Sequence, residues 1–92
     1  MIRREKEIQE AENRLFEIIW WNRHKVLEKH YNKTGDFPPE EIWDKALENA
    51  ERIEREIPEG ERLLNDYDWG MVNGKLSAFR WVLGSEWDDL ST

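Results

Sequence analysis

Within fifteen residues near the C-terminal end stand Asn73, Lys75, Arg80, Trp81, Glu86 and Trp87. A cation beside an indole can hold an anion, stack on a base or pair with a carboxylate. On a helix, Ser77, Arg80 and Trp81 share a face by i+3 and i+4 spacing. Two uses follow. In the structural one, Arg80 pairs with a nearby acid, Glu86 or Asp88, close to a helix C-terminus, where a cation is already favourable. In the other, Lys75, Arg80 and the neighbouring tryptophans form an anion- or nucleotide-binding module, multiplied by symmetry in an oligomer.

A second candidate surface is acidic. The net charge of −7 is spread unevenly, with +2 over residues 1–35, −8 over 36–68 and −1 over 69–92. Asp44, Glu48, Glu51 and Glu54 lie in the negative third, and such a face repels duplex phosphate while attracting a basic partner surface. A solvated helix face is the plainer use of the same residues. The pairs Asp44–Glu48 and Glu48–Glu51 could hold Mg²⁺, as a Mg-dependent nucleotide hydrolase requires. That chemistry needs two facing acidic motifs, and cations interleave here. His24 and His30 are six apart and fall on different helix faces, so they do not make a metal pair. Both are expected at the surface or at an interface. Ser77, Ser85, Ser91 and Thr34 have no nucleophile context, and no glycine loop is shaped to cradle a phosphate. No enzyme and no cofactor is expected.

Three helices must carry these residues. Ile8, Ala11, Leu15, Ile18, Ile19, Val26 and Leu27 follow helical spacing without Pro or Gly, predicting one long helix over about 2–33, stopped by Thr34-Gly35. "DFPPEEIW" opens a second helix over 39–57 with Asp36 or a neighbour as cap. Ile42, Trp43, Ala46, Leu47, Ala50, Ile53 and Ile57 form its apolar stripe. Glu48–Arg52 and Glu51–Arg55 are favourable i,i+4 pairs, and Pro58 with Gly60 ends the helix. "EGERLLNDYD" is a connector with a turn around Leu63-Leu64. Asp66 or Asp68 caps a third helix over 67–83, Gly84 terminates it, and residues 85–90 fold Trp87 and Leu90 back on its end. The expectation is an all-α, three-helix antiparallel bundle with a long N-terminal helix, one domain over 1–92.

The third helix carries two stripes. Trp69, Val72, Leu76, Phe79 and Leu83 have the 3-4-3-4 spacing of a packed seam. Gly70, Gly74 and Ala78 form a small stripe, at a cost of about 1 kcal/mol for each interior glycine. That cost implies a use for the space, and tryptophans of the first two helices are expected to fill it. The core is thin: hydrophobic residues make up 38% of the chain, matched by charged residues at 38%, but six Trp, three Phe and two Tyr are large. A thin core and a first helix too long to be covered predict a homo-oligomer. With no cysteine there is no disulfide framework. The charged start "MIRREKEIQE" lacks a signal peptide's apolar run, and Ile18–Trp21 is too short to cross a bilayer, so a cytoplasmic protein without membrane contact is expected.

The stretch "WGMVNGKLSAFRWVLGSEWDDL", Trp69 to Leu90, resembles the C-terminal signature of small uncharacterised proteins predicted from bacterial and phage genomes. Its pattern is W-G-x-x-N-G-K-L-S-A-x-R-W-V-L-G-x-E-W-D-x-L, and it covers about a quarter of the chain. Phe79 and the Ser91-Thr92 ending are where this chain departs from the commoner forms. The family brings no assigned fold or activity. The resemblance implies that Asn73, Lys75, Arg80, Trp81, Glu86, Trp87 and Asp88 act as a unit, whether to stabilise the fold or to bind. Size, charge and resemblance together point to a non-enzymatic acidic interaction protein, of phage or mobile-element origin, that binds or occludes a protein partner. The anion- or nucleotide-binding module is the alternative.

Overall fold

A computed structural model describes residues 1–87, and Asp88 and Leu90 lie outside the described residues. Four helices follow in order: α1 (Glu5–Thr34), α2 (Glu40–Glu56), α3 (Glu59–Arg62) and α4 (Asp66–Val82). The described residues contain no strand. Helix ends are set by local chemistry. At the end of α1, Gly35 has φ 78°, and its N–H donates to the Tyr31 carbonyl at 2.8 Å, the left-handed stop expected of Thr34-Gly35. Pro39 precedes α2, its carbonyl accepting from Ile42 and Trp43 at 3.0 Å each, with no side-chain cap from Asp36. After α4, Ser85 N–H donates to Arg80 O and Gly84 N–H to Trp81 O, the two bonds of a Schellman stop, with Gly84 at φ 107°.

Two expectations about the connector change. Its turn is α3, which ends at Arg62, just before the Leu63-Leu64 pair around which it was expected. The cap of α4 is Asn65, whose Oδ1 accepts from Asp68 N–H at 2.8 Å, so the role expected of Asp66 or Asp68 falls to their neighbour. An Asn carboxamide oxygen reaches the N3 amide as well as a carboxylate does.

Helix α1 is the spine. Its thirty residues span about 45 Å at 1.5 Å per residue, close to the molecule's longest extent of 49 Å. It packs against α2, α3 and, most extensively, α4. Trp21 bonds to Glu54 and His24 stacks on Trp43, so α2 runs antiparallel to α1. Arg80 meets Glu12 and Arg23 lies over Trp69, so α4 is antiparallel to α1 as well. Helices α2 and α4 therefore point the same way. The connector has to carry the chain back along α1, and it is pinned there by Arg14–Glu61 at 2.6 Å and Asn22 Nδ2 to Arg62 O at 2.7 Å.

The main core cluster joins Ile18 and Trp21 of α1 to Ala50, Ile53 and Ile57, with Trp20, Leu64 and Val72 packed against it. Trp21 is its hub. The indole N–H donates to Glu54 Oε1 at 3.2 Å, and the Arg62 guanidinium sits 4.6 Å from the ring centroid while its Nε donates to Ile57 O. Ile19 and Leu76 are also fully buried. Ile19 shares the face of Glu12, Phe16 and Arg23 by i+4 and i+3 spacing, the face that meets α4. The inner seam of α4 is as expected: Leu76 is buried, and Trp69, Val72, Phe79 and Leu83 are half-buried.

The small stripe is not filled. Gly70 and Gly74 are exposed, and a Cβ at either would meet nothing within 4 Å, so no tryptophan of α1 or α2 occupies the space. The cause is geometric: the stripe lies on the side of α4 turned away from α1. In dilute solution Gly70→Ala and Gly74→Ala should each raise unfolding free energy by up to about 1 kcal/mol. By contrast, Gly35→Ala should lower it by roughly 1–2 kcal/mol, because φ is positive there. Urea melts of the three variants check both signs.

Candidate interaction site

Trp20, Arg23, His24, Leu27 and Tyr31 recur at helical spacing along the C-terminal half of α1, and the start of α2 folds back over them. The result is an aromatic stack. Trp20 and His24 rings lie 5.0 Å apart and nearly parallel at 9°, and Trp43 stacks on the other side of His24 at 5.1 Å. Tyr31 meets Trp43 edge-on at 5.5 Å, and Phe37 joins both. His24 is only 4% exposed, buried between α1 and α2 where a place at the surface or at an interface was expected. Two indoles cover its faces, which residue type alone did not reveal. Trp20–His24–Tyr31 at i, i+4, i+11, followed by Phe37 and Trp43 across one turn, was the available signal.

Among the described residues His24 Nε2 has no hydrogen-bond partner, and it stands 3.8 Å from Glu28 Oε2. Burial pushes its pKa below the ordinary value, assisted by Lys25 and opposed by Glu28 and Glu54. Glu54 shifts down too. Burial raises it, but the Trp21 N–H, Lys25 and Arg62 outweigh that and favour the carboxylate.

Two open hollows flank this stretch. One, of about 350 Å³, lies between Trp20, His24, Leu27 and Tyr31 on α1 and Ile42, Trp43 and Ala46 on α2. The other, of about 520 Å³, lies between Asn22, Val26 and Leu27 on α1 and Leu64, Asn65 and Trp69 on the α4 side. Arg23 and Leu27 line both and divide them, so the two hollows adjoin across α1 as an open trough with these side chains between its halves. Val26 is 70% exposed at its edge although its spacing placed it on the apolar stripe, because α4 begins below it and leaves this end of α1 uncovered. The trough is mostly apolar, with the Arg23 guanidinium 5.9 Å from the Trp69 ring centroid. It offers burial for apolar side chains. No group of three or more His, Asp or Glu among the described residues is placed to hold a metal ion.

The sequence-derived candidates scatter over other surfaces. Asn73 Nδ2 donates to the Trp69 carbonyl one turn back at 2.8 Å, an intrahelical bond. Arg80 is half-buried on α1, its Nε 3.3 Å from Glu12 Oε1 and its guanidinium 5.7 Å from the Phe16 centroid. Glu12 meets it across the helix interface, and Asp88, one of the two acids expected beside it, lies outside the described residues. Lys75 is exposed, and Trp81 is exposed on a third direction, edge-on to Trp87 at 5.4 Å. Glu86 is exposed. Within one chain, Lys75, Arg80 and Trp81 do not converge on a shared cleft. On α2, Asp44, Glu48 and Glu51 are exposed, as a partner face requires. Glu54 is not part of that face. It turns to α1, accepting from Trp21 and pairing with Lys25 at 3.3 Å. Arg52 likewise reaches Glu17 at 2.8 Å and Glu56 at 2.6 Å, where Glu48 was the expected partner.

No protein-family model, curated protein or solved structure matches the chain.

The two displaced titrations set a pH dependence. For His24 the folded state binds its proton less tightly than the unfolded chain, so its stability contribution is present above 6.5 and is lost as pH falls below that value. For Glu54 the contribution is present above 4.5 and disappears at lower pH. Melting temperature should therefore decline in two stages on acidification. His24→Phe should flatten the upper stage and Glu54→Gln the lower, and thermal melts in a pH series separate them.

Proposed function

We propose that the protein is a non-enzymatic helical module that works by binding protein chains, with the trough across α1 as the seat for a partner's apolar side chains. The observation that carries this reading is the trough itself: an apolar concavity with Leu27 and Arg23 common to both hollows, on a chain otherwise dominated by charge. Exposed apolar surface of this kind is what interfaces use. Asp44, Glu48 and Glu51 on the outer side of α2, together with a net charge of −7, favour a basic partner and speed its approach. The partner's most economical form is an amphipathic helix with cationic flanks, laid into the groove.

The resemblance of Trp69–Leu90 to small bacterial and phage proteins agrees with a module that acts in the cytoplasm by occluding a partner's surface. The chain also assembles with copies of itself, through a different face. For the alternative, an anion- or nucleotide-binding set, Lys75, Arg80 and Trp81 face different directions in one chain, which removes its main support.

The test is capture of a partner from bacterial lysate by wild type and variants. Leu27→Glu places a charge in the trough at an already exposed position and should reduce capture at least tenfold with helicity unchanged. Glu48→Lys combined with Glu51→Lys should slow association and weaken its salt dependence. Equal capture by all variants would contradict the reading.

A further inference from the structure

Helix α4 is apolar on two sides, and the described residues cover only one. The inner seam, centred on Leu76, packs on α1. The outer side repeats the same kind of spacing: Tyr67, Met71, Gly74, Ala78 and Trp81 follow 4-3-4-3, the pattern of a helix–helix seam. Tyr67 is 74% exposed and Trp81 54%. A helix with apolar stripes on opposite sides is normally sandwiched between two neighbours. No described residue supplies the second neighbour here.

We infer that this outer seam of α4 binds the same seam of a second copy, as an antiparallel pair about a twofold axis at Gly74. Three observations choose that occupant. First, the helix face is partly symmetric about Gly74: an aromatic residue stands seven positions away on each side, Tyr67 and Trp81, and a small one four positions away, Gly70 and Ala78, while three positions away Met71 is mirrored by Ser77. An isologous contact needs such self-complementarity, because each residue meets its mirror position. Antiparallel docking sets Tyr67 of one copy beside Trp81 of the other at both ends.

Second, charge permits two copies to meet here. Each chain carries −7, so like copies repel through most faces. Between Asp68 and Glu86 there is no acid, and the only cations are Lys75 and Arg80, of which Arg80 is bonded to Glu12.

Third, the exposed apolar area is a large part of what a dimer contact needs, with flanking surface supplying the rest. Tyr67, Met71, Trp81, Val82 and Trp87 are each between 44% and 74% exposed. With aromatic side chains of about 150–250 Å² among them, the patch reaches several hundred Å². A standard interface takes about 800 Å² from each partner. The two glycines also acquire a use. Each costs about 1 kcal/mol in a helix interior, and no described residue occupies the space beside them. In the pair, that space lets the two backbones approach closely.

The inference rests on the reading of the protein as a protein-binding module, and its test uses the purified chain alone, so its failure is separate from any failure of partner capture. Sedimentation equilibrium of the full chain should show a monomer–dimer equilibrium. Gly74→Glu brings two carboxylates to the axis and should weaken it at least tenfold. Ile42→Glu, in the trough, should leave it unchanged, and circular dichroism should show native helicity in both. The chain has no cysteine, so Gly74→Cys creates one site for an intermolecular disulfide, which forms only where two Cα atoms come within about 7 Å. Oxidative dimerisation of Gly74→Cys should exceed that of Lys45→Cys by at least tenfold. A wild-type monomer at all concentrations would overturn the inference. So would a dimer lost in Ile42→Glu but kept in Gly74→Glu, or equal cross-linking at the two cysteine positions.

Discussion

One short patch of α1, Ile18, Ile19 and Trp21, has to serve two helices at once. Successive helix residues are turned by about 100°, so Ile18 and Trp21 face α2 while Ile19 shares the α4 face. All three are buried, and each contributes roughly 1.5–3 kcal/mol by leaving water. A chain with this much charge has few other sources of burial. Trp21 adds directional contacts to the apolar ones: Glu54 on its N–H, Arg62 against its ring, and Lys25 5.5 Å from the centroid. The indole thereby ties α2 and the connector to the same turn of α1.

From that constraint the rest of the architecture follows. With α1 as common floor, α2 and α4 lie on its two sides and run in the same direction. A chain leaving α2 has to return along α1 before α4 can begin, which is the work of residues 57–65 and the single turn α3. Because α4 begins near the level of Arg23, the last turns of α1 emerge bare beside α2. The trough is this uncovered end, walled by an aromatic stack. The same arrangement leaves α4 covered on one side only, so its second apolar seam faces out. Both candidate interfaces are thus consequences of two helices sharing one floor.

Much of this was readable from residue types and spacing. The helix limits rest on local chemistry: glycine at positive φ after Thr34 and at position 84, prolines before α2, apolar periodicity between. The inner seam of α4 was equally plain, since a 3-4-3-4 pattern has one packed side. What spacing cannot supply is direction. Gly70, Gly74 and Ala78 form a stripe in any reading, but only the placement of α1 decides that the stripe faces out. Arg80 meets an acid sixty-eight residues away, and no local feature of the sequence announces Glu12. His24 was misplaced because histidine is an intermediate residue by burial, and the two indoles that enclose it come from different helices. Val26 and Leu27 match the stripe yet stay exposed, because periodicity does not report where a neighbouring helix begins.

Native-state hydrogen exchange tests the shared-floor account most directly. If one patch of α1 holds both flanking helices, the amides of Trp21, Ile53 and Leu76 open with a single free energy, equal to that of global unfolding, and fall together as denaturant rises. Exchange at Ile53 or Leu76 that proceeds by a separate, lower-energy opening while Trp21 stays protected would mean that one helix detaches by itself, contradicting the account.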